Sequence, residues 1–528
     1  MSNHAYESAA ALRPSSNGPI PISTLCERFS LAPASAEDAA ALNDLSILGV
    51  SVDSADTAPG ELFVGLPGFT VHGARFAAQA VASGAVAVLT DADGAQIVHQ
   101  TAPGTPTLVH SDPRAVVGPL SAEVYHHPAR GLVTTAVTGT NGKTTTAYFL
   151  DAILSAHVGG CMVAGTVELR VGERSVESPR TTVEAPVLQR MMALAVEDRV
   201  GAASLEASSH AIVLHRLDGL VVDVAGFTNL QRDHLDFHKT MEGYLEAKAQ
   251  LFTPEHARRG VVCVDDQWGA TLAAEAPIEI DRVRAYPGDT PADWWVSDAA
   301  VSLTDSATTF TLHGPDGEQI EASCPLPGLV NVQNAALALV MAIRAGVPAA
   351  TATAALAGAH NIPGRMQRIS QRDGRRGLCI VDFAHTPEAM ELALKAVRPI
   401  TPGRLIVVFG SDGDRDQGKR PMLGEVCARL ADVLVVTDEN PRSEDPQLIR
   451  NAILEGVRGV RPDLTDVEEI TTWRGDAVRR GVELCGPDDT VIVTGKGHEP
   501  FLEMAGEFIR YNDAPVMAEA VEEKWGRA

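Results

Sequence analysis

A strand that runs directly into a glycine loop and then a helix constrains this chain more than any other feature. The apolar run Leu132 to Val137 leads into Thr138-Gly-Thr-Asn-Gly-Lys-Thr-Thr-Thr-Ala147, and the segment from Ala147 to Leu154 continues with helical spacing. The first backbone N–H groups of such a helix are unpaired and sit at the positive end of its dipole, so they converge on one spot that suits a phosphate. Gly139 and Gly142 let the backbone approach oxygens closely, Lys143 can reach terminal phosphates, and the hydroxyl of Thr144 is placed for Mg²⁺. The strict pattern G-x-x-x-x-G-K-[ST] is broken by Val137, so phosphate binding rests on the context of strand, turn and helix together with Lys143 and Thr144.

A chain of 528 residues exceeds what a single core supports, and three domains are expected. Residues 1–22, rich in Ser, Asn, Ala and Pro, read as a disordered leader. Residues 23–131, 132–363 and 364–528 form the three domains, the boundaries being set by His126-His-Pro-Ala-Arg130 and by Asn361-Ile-Pro-Gly-Arg365. A formal net charge of -25, with no local basic patch to offset it, excludes nucleic acid and anionic membrane as natural partners. Seven cysteines scattered without CxxC pairs fit a reducing compartment and argue against structural zinc. No apolar run reaches the length of a membrane span, and no charged segment precedes an apolar leader, so no membrane insertion and a cytoplasmic location are expected.

The fold class is α/β. Short strands alternate with alanine-rich helices in a small N-terminal α/β domain, with strands at 47–53, 62–66 and 86–89 and a helix at 74–83. The loop Gly65-Leu-Pro-Gly-Phe-Thr-Val-His-Gly73 reads equally as a ligand loop or as a turn. The central domain is built around the phosphate loop with a mostly parallel sheet, in which 202–207 and 222–227 are central strands. Residues 255–323 have the alternation of appended antiparallel strands, and alanine-rich helices follow up to about 345 and at 350–358. The C-terminal domain is Rossmann-like, with strands at 378–383, 404–409, 433–437 and 489–494, each ending in polar residues.

Ligands of open α/β sheets lie beyond the carboxyl ends of strands, so the segments after each strand are where chemistry is expected. Glu206-Ala-Ser-Ser-His210 and Thr228 to Asp236 follow the two central strands. A hard cation needs oxygen ligands, which makes Glu206 the natural carboxylate beside Thr144. His234 is open to two readings, a metal ligand or a helix-capping or core-satisfied residue. Lys248, taken on its own, reads as a solvated helix residue.

Gly139-Thr-Asn-Gly-Lys-Thr-Thr145, Glu206 to His210, Asn229 to Asp236, Gly364-Arg-Met366, Asp382-Phe-Ala-His-Thr-Pro387, Gly413-Asp-Arg-Asp-Gln-Gly-Lys-Arg420 and Gly495-Lys-Gly-His-Glu499 together resemble the Mur ligase family over roughly residues 45 to 515. The similarity is greatest to its members that add the third amino acid of the peptidoglycan stem. The resemblance implies an N-terminal UDP-sugar domain, a central ATPase domain and a C-terminal domain for the incoming amino acid. It implies an ATP-dependent ligase that passes through an acyl phosphate.

Gly139, Thr140, Asn141, Gly142, Lys143, Thr144, Thr145, Asn331, Arg365 and Asp382 fall on ATP positions. Thr144, Glu206, His234 and Lys248 fall on positions for two Mg²⁺ ions, with Lys248 as a carbamate. Lys143, Lys248 and His234 are the implied catalytic residues. Val52, Ser54, Phe69, Thr70, Val71, Thr181, Thr182, Ser208, Leu214 and Arg216 match the site for UDP-N-acetylmuramoyl dipeptide, although Leu214 stands where glutamine is common and Ala55 where arginine is frequent. Arg415, Glu439, Asn440, Pro441, Arg442, Gly495 and Glu499 match a site for meso-diaminopimelate, with Glu439 in place of the aspartate of D-N-P-R. Arg442 can pair bidentately with the distal carboxylate that L-lysine lacks. The family works on small molecules, and a monomer is expected. The competing readings are a lysine-adding ligase, a folylpolyglutamate synthetase and a non-catalytic nucleotide-binding regulator. Arg442 and the N-terminal domain count against the first two, and Lys143, Glu206, His234 and Lys248 against the third.

Overall fold

The computed structural model describes residues 9–302, 307–359 and 362–526. Two compact units emerge: one takes residues 1–295, 314–316 and 334–355, the other 296–313, 317–333 and 356–528.

The first unit carries two large sheets besides the short pair Ile20–Pro21 with Ser46–Ile47. Strands Gly49–Ser51, Glu61–Val64, Ala87–Thr90 and Thr107–Val109 pair in parallel in that order, and Ala32–Pro33 adds an antiparallel edge. Their residues are almost all buried, as expected for a sheet covered on both faces. The second sheet is centred on Val133–Thr138, which lies between Ala202–Glu206 and Val222–Phe227, all in parallel. Cys161–Ala164 continues it on one side, followed by the antiparallel hairpin Glu168–Val171 and Arg174–Glu177. Ala257–Cys263, Glu279–Arg284 and Trp294 continue it on the other, again in parallel.

That last extension corrects the expectation of antiparallel strands throughout 255–323. Helix Gln267–Glu275, capped by Asp266 accepting from Gly269 N at 2.8 Å, lies between the first two of these strands, and such a helical crossover leads to parallel pairing. Thr308–His313 and Gln319–Cys324, in the second unit, form an antiparallel hairpin as expected.

In the second unit a sheet runs Gln367–Ser370, Leu378–Val381, Thr490–Val493, Leu405–Phe409, Val433–Val436 and Val467–Glu469, all parallel except the first strand. A separate hairpin, Phe501–Met504 with Glu507–Arg510, follows it. Among the described residues no helix is long and apolar enough to cross a membrane.

The leader expectation holds for no residue the structure describes. Residues 1–8 lie outside the described part, and from Ala9 onward the chain is tied down. Leu12 is fully buried among the core residues of the central sheet. Arg190 on helix Ala185–Glu197 donates to Ala9 O at 2.7 Å and pairs with Asp56 at 2.9 Å. Arg13 pairs with Asp56 and Glu61, so the leader, that helix and the first sheet share one charge network. A single apolar side chain and one arginine outweigh a composition that would otherwise leave the segment unfolded. Leu12→Ala is expected to cost roughly 2–4 kcal/mol and to lower the thermal midpoint measured by calorimetry; an unchanged midpoint would contradict this packing.

Candidate functional site

In the first unit the site grows from the end of Val133–Thr138. Gly139 has φ +143 and a Cβ there would fall 1.9 Å from Thr228 Oγ1; Gly142, with φ +89, is the N-cap of helix Lys143–Val158. Neither position accepts an ordinary side chain. The loop is held open by the segment after Val222–Phe227. Thr140 N donates to Asn229 O at 2.9 Å, Asn141 N to Asn229 Oδ1 at 3.1 Å, and Thr228 Oγ1 to Asn141 O at 2.6 Å. Asn141 Nδ2 donates to Gln231 Oε1 at 2.8 Å. Lys143 folds over this loop, its Nζ donating to Gly139 O at 3.0 Å and Thr140 O at 2.9 Å. Thr145 is buried in the first turn of the helix.

Glu206, buried at the end of Ala202–Glu206, accepts from Thr144 Oγ1 at 3.0 Å. Thr166, which no motif signalled, donates to the same carboxylate through its N at 2.7 Å and its Oγ1 at 2.9 Å. The carboxylate is thereby fixed beside the hydroxyl, and two adjacent oxygen donors of this kind fit a hard cation that keeps its remaining positions for phosphate and water. Thr182 Oγ1 donates to Glu206 O at 2.7 Å and receives Ser208 N at 3.0 Å, while Thr181 Oγ1 lies 3.2 Å from Thr166 Oγ1. Arg216 donates to Thr182 O at 3.2 Å and pairs with Glu184 at 2.9 Å. Four residues expected at the sugar and peptide end thus share one hydrogen-bonded network with Glu206. Leu214 closes the short helix Ser209–Val213 beside them.

Lys248, on helix Met241–Ala249, is not a solvated residue. It is 1% exposed, its Nζ donates to Gly139 O at 2.8 Å, and burial followed by the neighbouring Lys143 holds its ammonium well below the ordinary range. The periodicity of a short helix gave no sign of this, because the residue's burial comes from the loop packed on it.

His234 sits at φ +53 with its ring 4.9 Å from that of His210, and its side chain is about half exposed. Among the described residues no three His, Cys, Asp or Glu side chains are gathered as metal ligands. Ser54, at the end of the first sheet, donates to Gln79 Oε1 at 3.1 Å, and Val52 packs at the edge of that core. Phe69, Thr70 and Val71 are exposed on their loop, Phe69 to 88%.

The second unit holds the rest. Asn331 Nδ2 donates to Pro327 O at 2.8 Å, Arg365 stacks 4.4 Å over the Phe383 ring, and Asp382 accepts from Met366 N and Ala384 N, both at 2.8 Å. At the ends of Leu405–Phe409, Val433–Val436 and Thr490–Val493 lies a charged cluster. Buried Lys496, in the segment after the last of these strands, donates to Asn440 Oδ1 at 2.9 Å and Glu499 Oε2 at 3.1 Å; Asn440 Nδ2 donates to the same glutamate at 3.1 Å. Gly495 and Pro441 are buried within this cluster, whereas Arg415 is exposed on the loop after Phe409.

Arg442, at φ +54, is positioned by the late hairpin through Arg442 N to Glu503 O at 3.0 Å and Ala505 N to Arg442 O at 2.7 Å. Its guanidinium lies 3.3 Å from Glu503 and 3.8 Å from Asp412, yet its buried Nε has no aligned partner. Nearby Arg420 and Arg474 each grip a carboxylate with two nitrogens, at 2.8–2.9 Å. Arg442 is therefore the guanidinium of this group with donor capacity left for a ligand carboxylate.

A cavity of about 670 Å³ elsewhere in this unit is lined by Arg368, Arg372 and Arg376 together with Asp373, which pairs with Arg376 at 3.6 Å.

Three family models match the chain: "Mur ligase family, catalytic domain" over residues 46–123, "Mur ligase middle domain" over 137–342 and "Mur ligase, glutamate ligase domain" over 364–497. The UDP-N-acetylmuramoyl-L-alanyl-D-glutamate–2,6-diaminopimelate ligase of Streptomyces coelicolor is 42% identical over 91% of this chain and 93% of its own length. A UDP-N-acetylmuramyl-tripeptide synthetase of Leifsonia xyli is 42% identical over 95% of this chain and 96% of its own. A solved UDP-N-acetylmuramoyl-L-alanyl-D-glutamate–2,6-diaminopimelate ligase superposes with a TM-score of 0.64 at 30% identity, covering 91% of this chain and 96% of that one.

Thr166→Val removes one of the donors that fix Glu206. It is expected to lower ATP turnover roughly 10- to 100-fold in a phosphate-release assay, and wild-type turnover would show that the carboxylate needs no such support.

Proposed function

The chain belongs to the Mur ligase family, and from that premise we propose that it is the ATP-dependent ligase that joins meso-diaminopimelate to UDP-N-acetylmuramoyl-L-alanyl-D-glutamate in peptidoglycan synthesis. A carboxylate oxygen of the terminal D-glutamate attacks the γ-phosphorus of ATP, ADP leaves, and an acyl phosphate forms. The amine of the incoming amino acid then attacks the acyl carbon, phosphate leaves, and the amine gives up its proton as the amide forms.

Lys143 and the loop amides from Gly139 to Thr145 hold the transferred phosphoryl group and the charge that develops on it. Thr144 and Glu206 are the residues that would hold Mg²⁺, which when bound neutralises charge on the phosphates. Thr181, Thr182, Ser208 and Arg216 bind the sugar and peptide end, and Val52, Ser54 and the loop from Phe69 to Val71 the uridine end. Asn331, Arg365 and Asp382 take the nucleotide. The division at residues 131 and 363 into sugar, ATPase and amino-acid domains belongs to the same reading. Since ATP and UDP-sugars are cytoplasmic, so is the enzyme, and a monomer belongs to the same reading.

The observation that carries the choice of amino acid is Arg442, a part-buried guanidinium whose Nε has no aligned partner. Meso-diaminopimelate brings a distal carboxylate that L-lysine lacks, so lysine would leave the arginine unmatched in a desolvated pocket, at a cost of roughly 10³-fold in kcat/KM. The discriminating experiment is phosphate release with the UDP-sugar dipeptide and meso-diaminopimelate, L-lysine or no amino acid. Only the first is expected to sustain turnover; equal rates with lysine would reject the assignment. Arg442→Ala is expected to raise KM for meso-diaminopimelate by about 10³-fold while leaving KM for ATP unchanged, and unchanged amino-acid kinetics would remove Arg442 from the site.

Lys248 supports a second element of the reading. A neutral, desolvated amine is the form that adds CO₂, and the carbamate so formed would be a carboxylate-like metal ligand in place of a cation that Lys143 repels. Activity is expected to fall in CO₂-stripped buffer and to return with bicarbonate, with a carbamate signal in a ¹³C spectrum after labelled bicarbonate is added. Activity indifferent to CO₂ together with no such signal would contradict carbamylation.

A further inference from the structure

The ends of the adjacent parallel strands Leu405–Phe409 and Val433–Val436 hold four buried oxygens without a hydrogen-bond partner: Ser411 Oγ, Asp412 Oδ1, Thr437 Oγ1 and Glu439 Oε2. Buried polar atoms are normally paired, so four orphans at one strand edge mark a place built for something else. Two of them belong to carboxyl groups. Burial first and Asp412 second push the Glu439 carboxyl up to about 8, which places the two groups in each other's field.

The other charged groups facing Glu439 are Lys419 and Arg474, which favour its ionisation, and Glu499, which opposes it. The cations here are engaged elsewhere: Arg474 holds Asp513 at 2.8 and 2.9 Å, Lys496 holds Asn440 and Glu499, and Lys419 donates to His385 O at 3.2 Å. Asp412 Oδ2 lies 3.8 Å from Arg442 Nη2. A guanidinium with donors to spare therefore stands beside carboxyl oxygens with acceptors to spare. The chemical complement of that pair is a carboxylate and an ammonium on one carbon, since the carboxylate meets the donors and the three N–H bonds of the ammonium meet the orphan oxygens.

We propose that Asp412, with Glu439 beside it, receives the ammonium of the distal amino-acid head of the incoming diamino diacid while Arg442 takes the carboxylate of the same head. This rests on the functional reading above and adds a specificity residue to it. Arg442 rejects an amine without the distal carboxylate; Asp412 rejects a diacid without the distal ammonium. Without ligand the buried Glu439 carboxyl is held toward its neutral form, by burial first and by Asp412 second, and an arriving ammonium offsets both.

The test compares meso-diaminopimelate with 2-aminopimelate, which differs only in lacking the distal ammonium, on the full-length enzyme with the UDP-sugar dipeptide and ATP. Wild type is expected to prefer meso-diaminopimelate. Asp412→Asn is expected to raise KM for meso-diaminopimelate about 30-fold and to leave KM for 2-aminopimelate and for ATP within about twofold, so that the preference collapses. Asp412→Glu, which restores the charge, is expected to recover a large part of the preference. Thermal midpoints of the variants at or above that of wild type are expected, because Asp412→Asn removes a buried carboxyl whose oxygen lacks a partner.

Retention of the wild-type preference in Asp412→Asn would overturn the proposal, as would equal losses on both amino acids or a preference that Asp412→Glu fails to restore. If wild type uses L-lysine or no amino acid in place of meso-diaminopimelate, the functional reading falls and this inference with it. If wild type uses meso-diaminopimelate and Asp412→Asn discriminates normally, only this inference falls.

Discussion

The site in the first unit depends on backbone hydrogen bonds between two neighbouring loops. Asn229, after one parallel strand, accepts Thr140 N with its carbonyl and Asn141 N with its side chain, and so keeps the glycine loop of the adjacent strand open. A loop with two glycines at positive φ would otherwise explore many conformations, and its amides would not converge on one point. Once it is fixed, Lys143 and Lys248 are both drawn onto Gly139 O. Burial first, and Lys143 beside it second, disfavour the charged form of Lys248. The same geometry that prepares a phosphate site therefore prepares a neutral lysine amine beside it.

In the second unit the informative signal is unused hydrogen-bonding capacity. Arg420 and Arg474 are matched to carboxylates with close to ideal geometry, as structural arginines are. Arg442 departs from them. The late hairpin fixes its backbone at a positive φ, at some conformational cost, while the head group is left with only long charge contacts. Across the same loops Asp412 and Glu439 have acceptors to spare. Structural salt bridges would have satisfied both sides. That they are separately unmatched, with Lys496 locking Asn440 and Glu499 in place around them, is what a preorganised zwitterion site requires.

Much of this was legible in the sequence, and the reasons it was or was not are physical. Buried parallel strands are short apolar runs, so Val222–Phe227 and Leu405–Phe409 could be read almost residue for residue. The phosphate loop and Glu206 follow such strands directly, which is why they were found. The hairpin-like alternation near the end of 255–323 suggested antiparallel strands for the whole stretch, whereas Ala257–Cys263 and Glu279–Arg284 pair in parallel because a helix lies between them. The tethering of Leu12 and Arg13 could not be read from a segment whose composition suggests disorder, since it depends on Arg190, Asp56 and Glu61, which are distant in sequence. Thr166, Asp412 and Glu503 were missed for the same reason. Each belongs to no motif, and each matters through a partner that only the fold supplies.

The central claim is that this fold activates a carboxylate through its phosphate loop so that an amine can capture it. The most direct measurement follows oxygen. If the γ-carboxylate of the D-glutamate residue in the UDP-sugar dipeptide carries ¹⁸O, formation of the acyl phosphate and its breakdown by meso-diaminopimelate must place one labelled oxygen in the released phosphate. Labelled phosphate appearing in step with the tripeptide product is the predicted result. Unlabelled phosphate accompanying product formation would mean that the carboxylate never bonded to phosphorus, and would contradict the account.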